Sequence, residues 1–162
     1  MASTNINMLG RTSNCAASDE CYTPPEAVMP LLAYLDKSTA WYEATSGLSR
    51  SIVDCMTDAG FDCAASTGDF FGDVDTREGI ITNPPYSKKD KFLRRCYDIG
   101  KPFALLLPVS SLQGIQRGEM FDKHGVDILV LRKRIDFTGK GSPHFGVAWF
   151  THGILPDRLI FA

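Results

Sequence analysis

The sequence predicts one α/β domain with an open, mostly parallel sheet covered by helices on both faces. Three observations lead to it. Short apolar runs, residues 79–82 (Gly-Ile-Ile-Thr) and 103–107 (Phe-Ala-Leu-Leu-Leu), have the composition of parallel strands buried on both faces. They alternate with segments of 3.6-residue apolar periodicity. The last two strand-like segments, 126–131 and 145–151, have no helix between them, which pairs them as an antiparallel hairpin at a sheet edge. With 162 residues, 44% hydrophobic and 22% charged, the chain has material for one core and little room for a second domain.

The first 20 residues, rich in Ser, Asn, Ala and Thr, bury too little to offset their ordering entropy and are expected as a flexible N-terminal arm, leaving residues 21–162 as the domain. Thr23-Pro24-Pro25-Glu26 then starts a helix: Thr caps, Pro fits the first turn and Glu suits the positive dipole end. It should run to about Asp36. A strand over 39–42, a turn containing Gly47, and a helix over 48–59 with Ile52, Val53 and Met56 on one face follow, stopped by Gly60. Short strands are predicted over 61–65 and 79–82, then a helix over 90–99 that Pro102 ends. The apolar strand 103–107 stops at Pro108, and a helix over 112–121 precedes the final pair of strands, whose Gly-rich connection is 138–144. In sheets of this kind ligands sit beyond the carboxyl ends of the strands, where the strand order reverses. The loops after strands therefore carry the search for function.

Composition narrows the classes. No apolar run approaches the roughly 20 residues that a bilayer requires, and residues 1–10 lack the basic flank and apolar stretch of an export signal. Neither a membrane span nor secretion is expected. Cys15, Cys21, Cys55, Cys63 and Cys96 are odd in number, without a C-x-x-C pair and far from the three histidines, so they read as reduced thiols of a cytoplasmic protein (host cytoplasm if viral), with no disulfide frame and no metal site. A formal charge of −2 argues against a pervasive phosphate-binding surface. Local clusters remain at Lys88, Lys89, Lys91, Arg94 and Arg95, and at Arg132, Lys133 and Arg134. The first lies just after the most informative loop, where cations can hold a nucleic-acid backbone; a solvated helix face is the plainer alternative.

That loop, Asn83-Pro84-Pro85-Tyr86, follows the 79–82 strand. Two prolines stiffen it and remove two backbone donors, leaving carbonyl oxygens to accept from elsewhere. An Asn side-chain oxygen, a proline carbonyl and an aromatic face within four residues suit a flat group bearing an N–H₂, a nucleobase or an amide. The oxygens would hold the amino hydrogens while Tyr86 stacks on the ring.

With these residues the sequence resembles the S-adenosylmethionine-dependent amino-group methyltransferases, especially the small phage-type N6-adenine DNA methyltransferases. Their Asp/Asn-Pro-Pro-Tyr/Phe signature is matched by Asn83, Pro84, Pro85 and Tyr86. Their cofactor-touching Tyr-Thr-Pro segment is similar to Tyr22-Thr23-Pro24, and their first-strand loop to Glu43-Ala44-Thr45-Ser46-Gly47-Leu48-Ser49. Gly68-Asp69-Phe70-Phe71 resembles the segment whose acid takes the cofactor adenine's amino group and whose aromatic packs on its ring. Residues 134–137 (Arg-Ile-Asp-Phe) and 142–145 (Ser-Pro-His-Phe) resemble the segments that close the target-base pocket. The resemblance, spanning residues 20–161, implies a Rossmann-like class I methyltransferase domain without a separate target-recognition domain, S-adenosylmethionine as cofactor and DNA as partner. It implies catalytic roles for Asn83, Pro84, Pro85 and Tyr86, and cofactor contacts from Tyr22, Thr23, Glu43, Ala44, Gly47, Ser66, Asp69 and Phe70. Lys88, Lys89, Lys91, Arg134 and His144 fall to the nucleic acid.

Three positions depart from the family pattern. Ala44 replaces a proline, Ser49 a glycine, and residues 64–67 (Ala-Ala-Ser-Thr) lack the acid that takes the ribose hydroxyls, leaving Ser66 in its place. RNA adenine or a protein glutamine amide would suit the same loop, and a non-catalytic binding protein would keep the same fold. Asp73, Asp75 and Glu78 lack the ligand count of a calcium loop. Ser110-Ser111 has no Gly-x-Ser-x-Gly context for acyl transfer.

Overall fold

A computed structural model describes residues 22–45, 50–72, 75–139, 141, 143 and 145–162. The expected N-terminal arm lies outside them. Helix α1 (Pro25–Leu32) leads to β1 (Trp41–Glu43), α2 (Ser51–Asp58), β2 (Cys63–Ala65) and β3 (Gly79–Thr82). A 3-10 turn (Tyr86–Lys88) opens α3 (Lys89–Ile99), followed by β4 (Phe103–Pro108), a second 3-10 turn (Val109–Leu112), α4 (Ile115–His124), β5 (Asp127–Val130), β6 (Val147–His152) and β7 (Leu159–Phe161). No helix among the described residues is long and apolar enough to cross a membrane.

The strands form one seven-stranded sheet in the order β2-β1-β3-β4-β6-β5-β7. β1 pairs in parallel with β2 on one side and β3 on the other, so the chain reverses its direction of travel across the sheet at β1. β6 runs antiparallel to both β4 and β5, as the missing helix between the last strand segments requires. Beyond that pair lies β7, parallel to β5, which the sequence pattern does not reveal: Leu159 and Phe161 are 57% and 52% exposed and give no buried run.

Two cores follow from strand alternation. On one face Ile81, Ala104 and Leu106 pack with Val28 and Leu31 of α1 and Ile52, Val53 and Met56 of α2. On the other, Ile80, Phe103, Leu105 and Leu107 meet Phe92, Leu93, Cys96 and Tyr97 of α3. Both faces of β3 and β4 are thereby buried, which explains their unbroken apolar composition.

Three helices differ from expectation, the one expected over 48–59 being Ser51–Asp58 with Arg50 outside it. α1 stops at Leu32 rather than Asp36 because the last bonds tighten to Tyr34 N–H on Leu31 O (2.9 Å) and Leu35 N–H on Leu32 O (3.4 Å). Asp36 then accepts from the N–H and hydroxyl of Ser38, a local bond that competes with helix. Apolar periodicity continues through the buried Leu35, so the pattern alone reads on. The helix expected over 112–121 begins at Ile115, since the residues directly after β4 coil into their own 3-10 turn.

The start of β3 depends on a missing side chain. A Cβ at Gly79 would stand 2.7 Å from the Trp41 ring, which is itself 2% exposed. Gly79→Ala should therefore destabilise by about 1–3 kcal/mol, lowering Tm by roughly 2–12 °C for a domain of this size. Thermal melting followed by circular dichroism checks it; an unchanged Tm would mean the ring can move aside.

Candidate active site

At the carboxyl ends of β1 and β3 the sheet carries a buried carboxylate. Glu43, the last residue of β1, is 3% exposed, and Thr82, the last of β3, is fully buried. Glu43 Oε1 accepts from the Thr82 hydroxyl (2.5 Å), the Thr45 amide (2.9 Å) and the Thr45 hydroxyl (3.1 Å). A charge taken out of water persists only when donors surround it, and these supply that shell. Its field reaches β2, where burial and then the Glu43 charge push the Cys63 thiol up to about 12. The Thr45 hydroxyl also reaches the main-chain oxygen of Asn83 (3.3 Å), joining the first strand loop to the Asn-Pro-Pro-Tyr loop.

Asn83 is anchored from the other side as well. Its Nδ2 donates to the hydroxyl of Thr23, 3% exposed before α1, at 3.0 Å. Its Oδ1 is buried and has no hydrogen-bond partner among the described residues. Leaving a buried acceptor unmade costs about 1–3 kcal/mol, so an orphan of this kind marks a place where a donor from outside belongs. Pro84 is buried and Pro85 half-buried. The Tyr86 hydroxyl is a second buried, unpartnered atom, and burial pushes its pKa up. Lys89 Nζ donates to the Tyr86 carbonyl (3.1 Å), fixing the turn that follows.

The late segment folds over this loop. Phe145 meets Tyr86 edge to face (centroids 5.8 Å, 78°) and stacks on Phe137 (6.2 Å, 21°). Asp136 shapes the strip between: its Oδ1 accepts from the Thr138 amide (2.9 Å), the Thr138 hydroxyl (2.6 Å) and the Gly139 amide (3.1 Å), and its Oδ2 from the Gly141 amide. These donors hold its carboxyl below the usual range. Arg134 is exposed beside the buried Ile135; His144 lies outside the described residues.

The remaining predicted positions differ in burial and partners. Tyr22 is 49% exposed, Ala44 is buried in the core on the α3 side, and Gly47 lies outside the described residues. Ser66, half-buried, follows β2 and donates its amide to the Glu43 carbonyl (2.9 Å). Asp69 is exposed and its Oδ1 accepts the Phe71 amide (3.1 Å). Phe70 is 2% exposed and stacks on Phe92 (5.2 Å, 13°), so its ring belongs to the core, while half-buried Phe71 faces outward beneath Lys91 Nζ (4.0 Å). Arg95 holds this loop through the carbonyls of Phe70 (3.3 Å) and Gly72 (2.7 Å). Lys88 and Lys91 are exposed. Sequence reasoning did not single out Thr45 or Thr82 as site residues; the only signal was a polar residue closing an apolar strand.

No protein-family model matches the chain, and a search of curated proteins finds no significant match. Solved structures do resemble it. A protein from Agrobacterium tumefaciens described as a predicted O-methyltransferase superposes with TM-score 0.51 at 13% identity, covering 86% of this chain and 84% of that one. A protein from Pyrococcus horikoshii described as a putative RNA methyltransferase gives TM-score 0.56 at 11% identity over 90% of this chain and 96% of that one. A protein from Vibrio vulnificus described as a modification subunit of a putative type I restriction enzyme gives 0.53 at 12% identity over 92% of this chain, which spans 48% of that longer protein. The fold is the Rossmann-like methyltransferase fold.

Asp136 offers a test of the strip beside Tyr86. Its folded pKa lies below the ordinary 3.8, so its bonds hold throughout the range above that value and are lost only as pH falls through the lower folded pKa. The Thr138, Gly139 and Gly141 amide resonances should therefore shift together in an NMR titration with a midpoint below 3.8. A midpoint at or above it would show that the carboxylate does not hold the strip.

Proposed function

We propose that this chain transfers a methyl group from S-adenosylmethionine to the exocyclic N6 of adenine in DNA. The observation that supports it most is the buried, unpartnered Asn83 Oδ1 in a loop whose two prolines supply no N–H. An amino group brings the donors such a loop lacks. Asn83 Oδ1 accepts one amine hydrogen and the Pro84 carbonyl the other, which draws the nitrogen lone pair out of conjugation with the ring. Both acceptors attract the amine more strongly as positive charge develops on nitrogen, so they favour the transition state over the bound substrate. Tyr86 supplies a flat surface for the base, with Phe145 against its edge.

The residues present suit the cofactor. When bound, S-adenosylmethionine supplies an electrophilic methyl carbon on a sulfonium. Thr23, Glu43 and the Gly47 loop would hold its methionine end, with Tyr22 at the rim and Ala44 behind. Asp69 would take the adenine amino group; Phe70, named for the adenine by the resemblance, is 2% exposed in the core and would back that loop from within. Lys88, Lys89, Lys91, Arg134 and His144 would follow the phosphate backbone. A ribose that meets Ser66 instead of a carboxylate forfeits a charge-assisted bond of about 1.5–3 kcal/mol, or one to two orders of magnitude in affinity.

Incubation with DNA and methyl-labelled cofactor, followed by digestion to nucleosides, should yield N6-methyladenine; label in cytosine only, or in none of several DNAs, removes the proposal. Asn83→Ala should lower kcat by about 10²–10³-fold with Tm close to wild type, and Tyr86→Ala by about 5–150-fold per folded molecule, with Tm lowered as well because its half-buried ring packs on Phe145. A variant that melts far lower yet keeps its rate per folded molecule would reject the site. Calorimetry should show Ser66→Asp binding S-adenosylmethionine about tenfold more tightly; weaker binding would place the ribose elsewhere.

A further inference from the structure

The residues after β4 form an apolar knuckle that the core does not require. Val109, Leu112 and Ile115 are 37%, 46% and 85% exposed. The backbone beneath them is held firmly. Arg117, with its side chain 14% exposed, donates from Nε to the Ser111 carbonyl (2.7 Å), from Nη2 to the Gln113 carbonyl, and from Nη1 to the Asp90 carboxylate of α3 (2.6 Å). Gly114, at φ +146°, lies against that guanidinium, and a Cβ there would come within 2.5 Å of Nη2. Val109 N–H donates to the Gly146 carbonyl (2.9 Å), next to the Phe145 that meets Tyr86. Three aliphatic side chains are thus displayed on a rigid mount.

Its position matters. β4 is the neighbour of β3, with Leu105 opposite Thr82, so the knuckle rises one strand away from Asn83 on the same edge of the sheet. The Asp90–Arg117 pair pins it to the first turn of α3, where Lys88 is exposed and Arg94, one turn beyond Asp90 on the same strip, is exposed as well. A surface with an aliphatic tip and cations alongside fits a polyanion whose interior is apolar, which is a stack of base pairs.

We propose that Ile115 and Leu112 form a wedge that enters the base stack of duplex DNA as the target adenine leaves it, with Lys88 and Arg94 on the flanking phosphates. The proposal rests on the methyltransferase reading of Asn83 to Tyr86. A duplex hides the N6 amine, so its base must swing out, and the vacated gap loses stacking on both sides. Aliphatic side chains fill such gaps and kink the duplex in other DNA-binding proteins. A single strand has no such gap to fill.

The test compares one sequence as duplex and as single strand, with wild type and with the Leu112→Ser, Ile115→Ser double variant. Both side chains are exposed, so the fold should persist; should melting show otherwise, Ile115→Ala alone replaces the pair. On duplex the variant's kcat/KM should fall by about tenfold or more, on single strand by less than about threefold. In a duplex carrying 2-aminopurine at the target, wild type should brighten the probe and the variant should do so much less. Equal losses on both substrates, as a docking face for another macromolecule would give, or no loss on duplex, would overturn the wedge while leaving the site reading intact. If wild type methylates adenine in neither form, the site reading fails and the wedge falls with it.

Discussion

One buried carboxylate organises the functional end of this fold. Glu43 terminates β1 where the sheet divides, with β2 to one side and β3 to the other, and it stays ionised out of water only if donors surround it. Thr82 comes from the neighbouring strand and Thr45 from the loop directly after Glu43, so satisfying the charge fixes the end of β1 to the end of β3. The Thr45 hydroxyl extends the same chain to the Asn83 carbonyl. Losing one donor would leave the carboxylate under-coordinated and release two strand ends together, a cost of about 1–3 kcal/mol.

From that anchor the rest of the site is held in successive layers. Thr23, delivered by the start of α1, fixes the Asn83 amide from the opposite side. Prolines remove torsional freedom between Asn83 and Tyr86, and Lys89 takes the carbonyl at which the chain turns into α3. Phe145 and Phe137 then close over Tyr86, with Asp136 holding the strip through four donors. Every layer uses a different segment of the chain, so positioning of the loop is a property of the whole sheet rather than of the motif.

The sequence shows what is repeated locally and hides what is assembled from afar. β3 and β4 were legible because burial on both faces leaves no polar break, and the antiparallel β6 because no helix precedes it. β7 escaped since its exposed Leu159 and Phe161 alternate with a half-buried Ile160, a weak pattern three residues long. The start of α4 was misplaced because the boundary is set by Arg117 reaching back to Ser111 and, farther back, to Asp90 of α3, neither of which composition reveals. Asn83 and Tyr86 were identifiable from residue types in one loop. Their partners lie far off in the chain, Thr23 and Thr45 at 60 and 38 positions from Asn83 and Phe145 at 59 from Tyr86, and only the fold brings them near.

The pattern of unsatisfied atoms supports the proposed function over a rigid turn. Among the described residues, four buried side-chain atoms lack a hydrogen-bond partner: Tyr42 Oη, Asn83 Oδ1, Tyr86 Oη and Ser111 Oγ. Two of them fall within one four-residue loop whose surroundings are otherwise carefully paired, down to both the amide nitrogen and the main-chain oxygen of Asn83. A turn kept only for folding gains nothing from such orphans, since a side chain of the same shape without the polar atom would remove the penalty. A loop that must receive an outside donor has to keep its acceptor empty and rigidly aimed until the donor arrives. Under the proposed function, the stability forgone at Asn83 is the physical counterpart of that readiness.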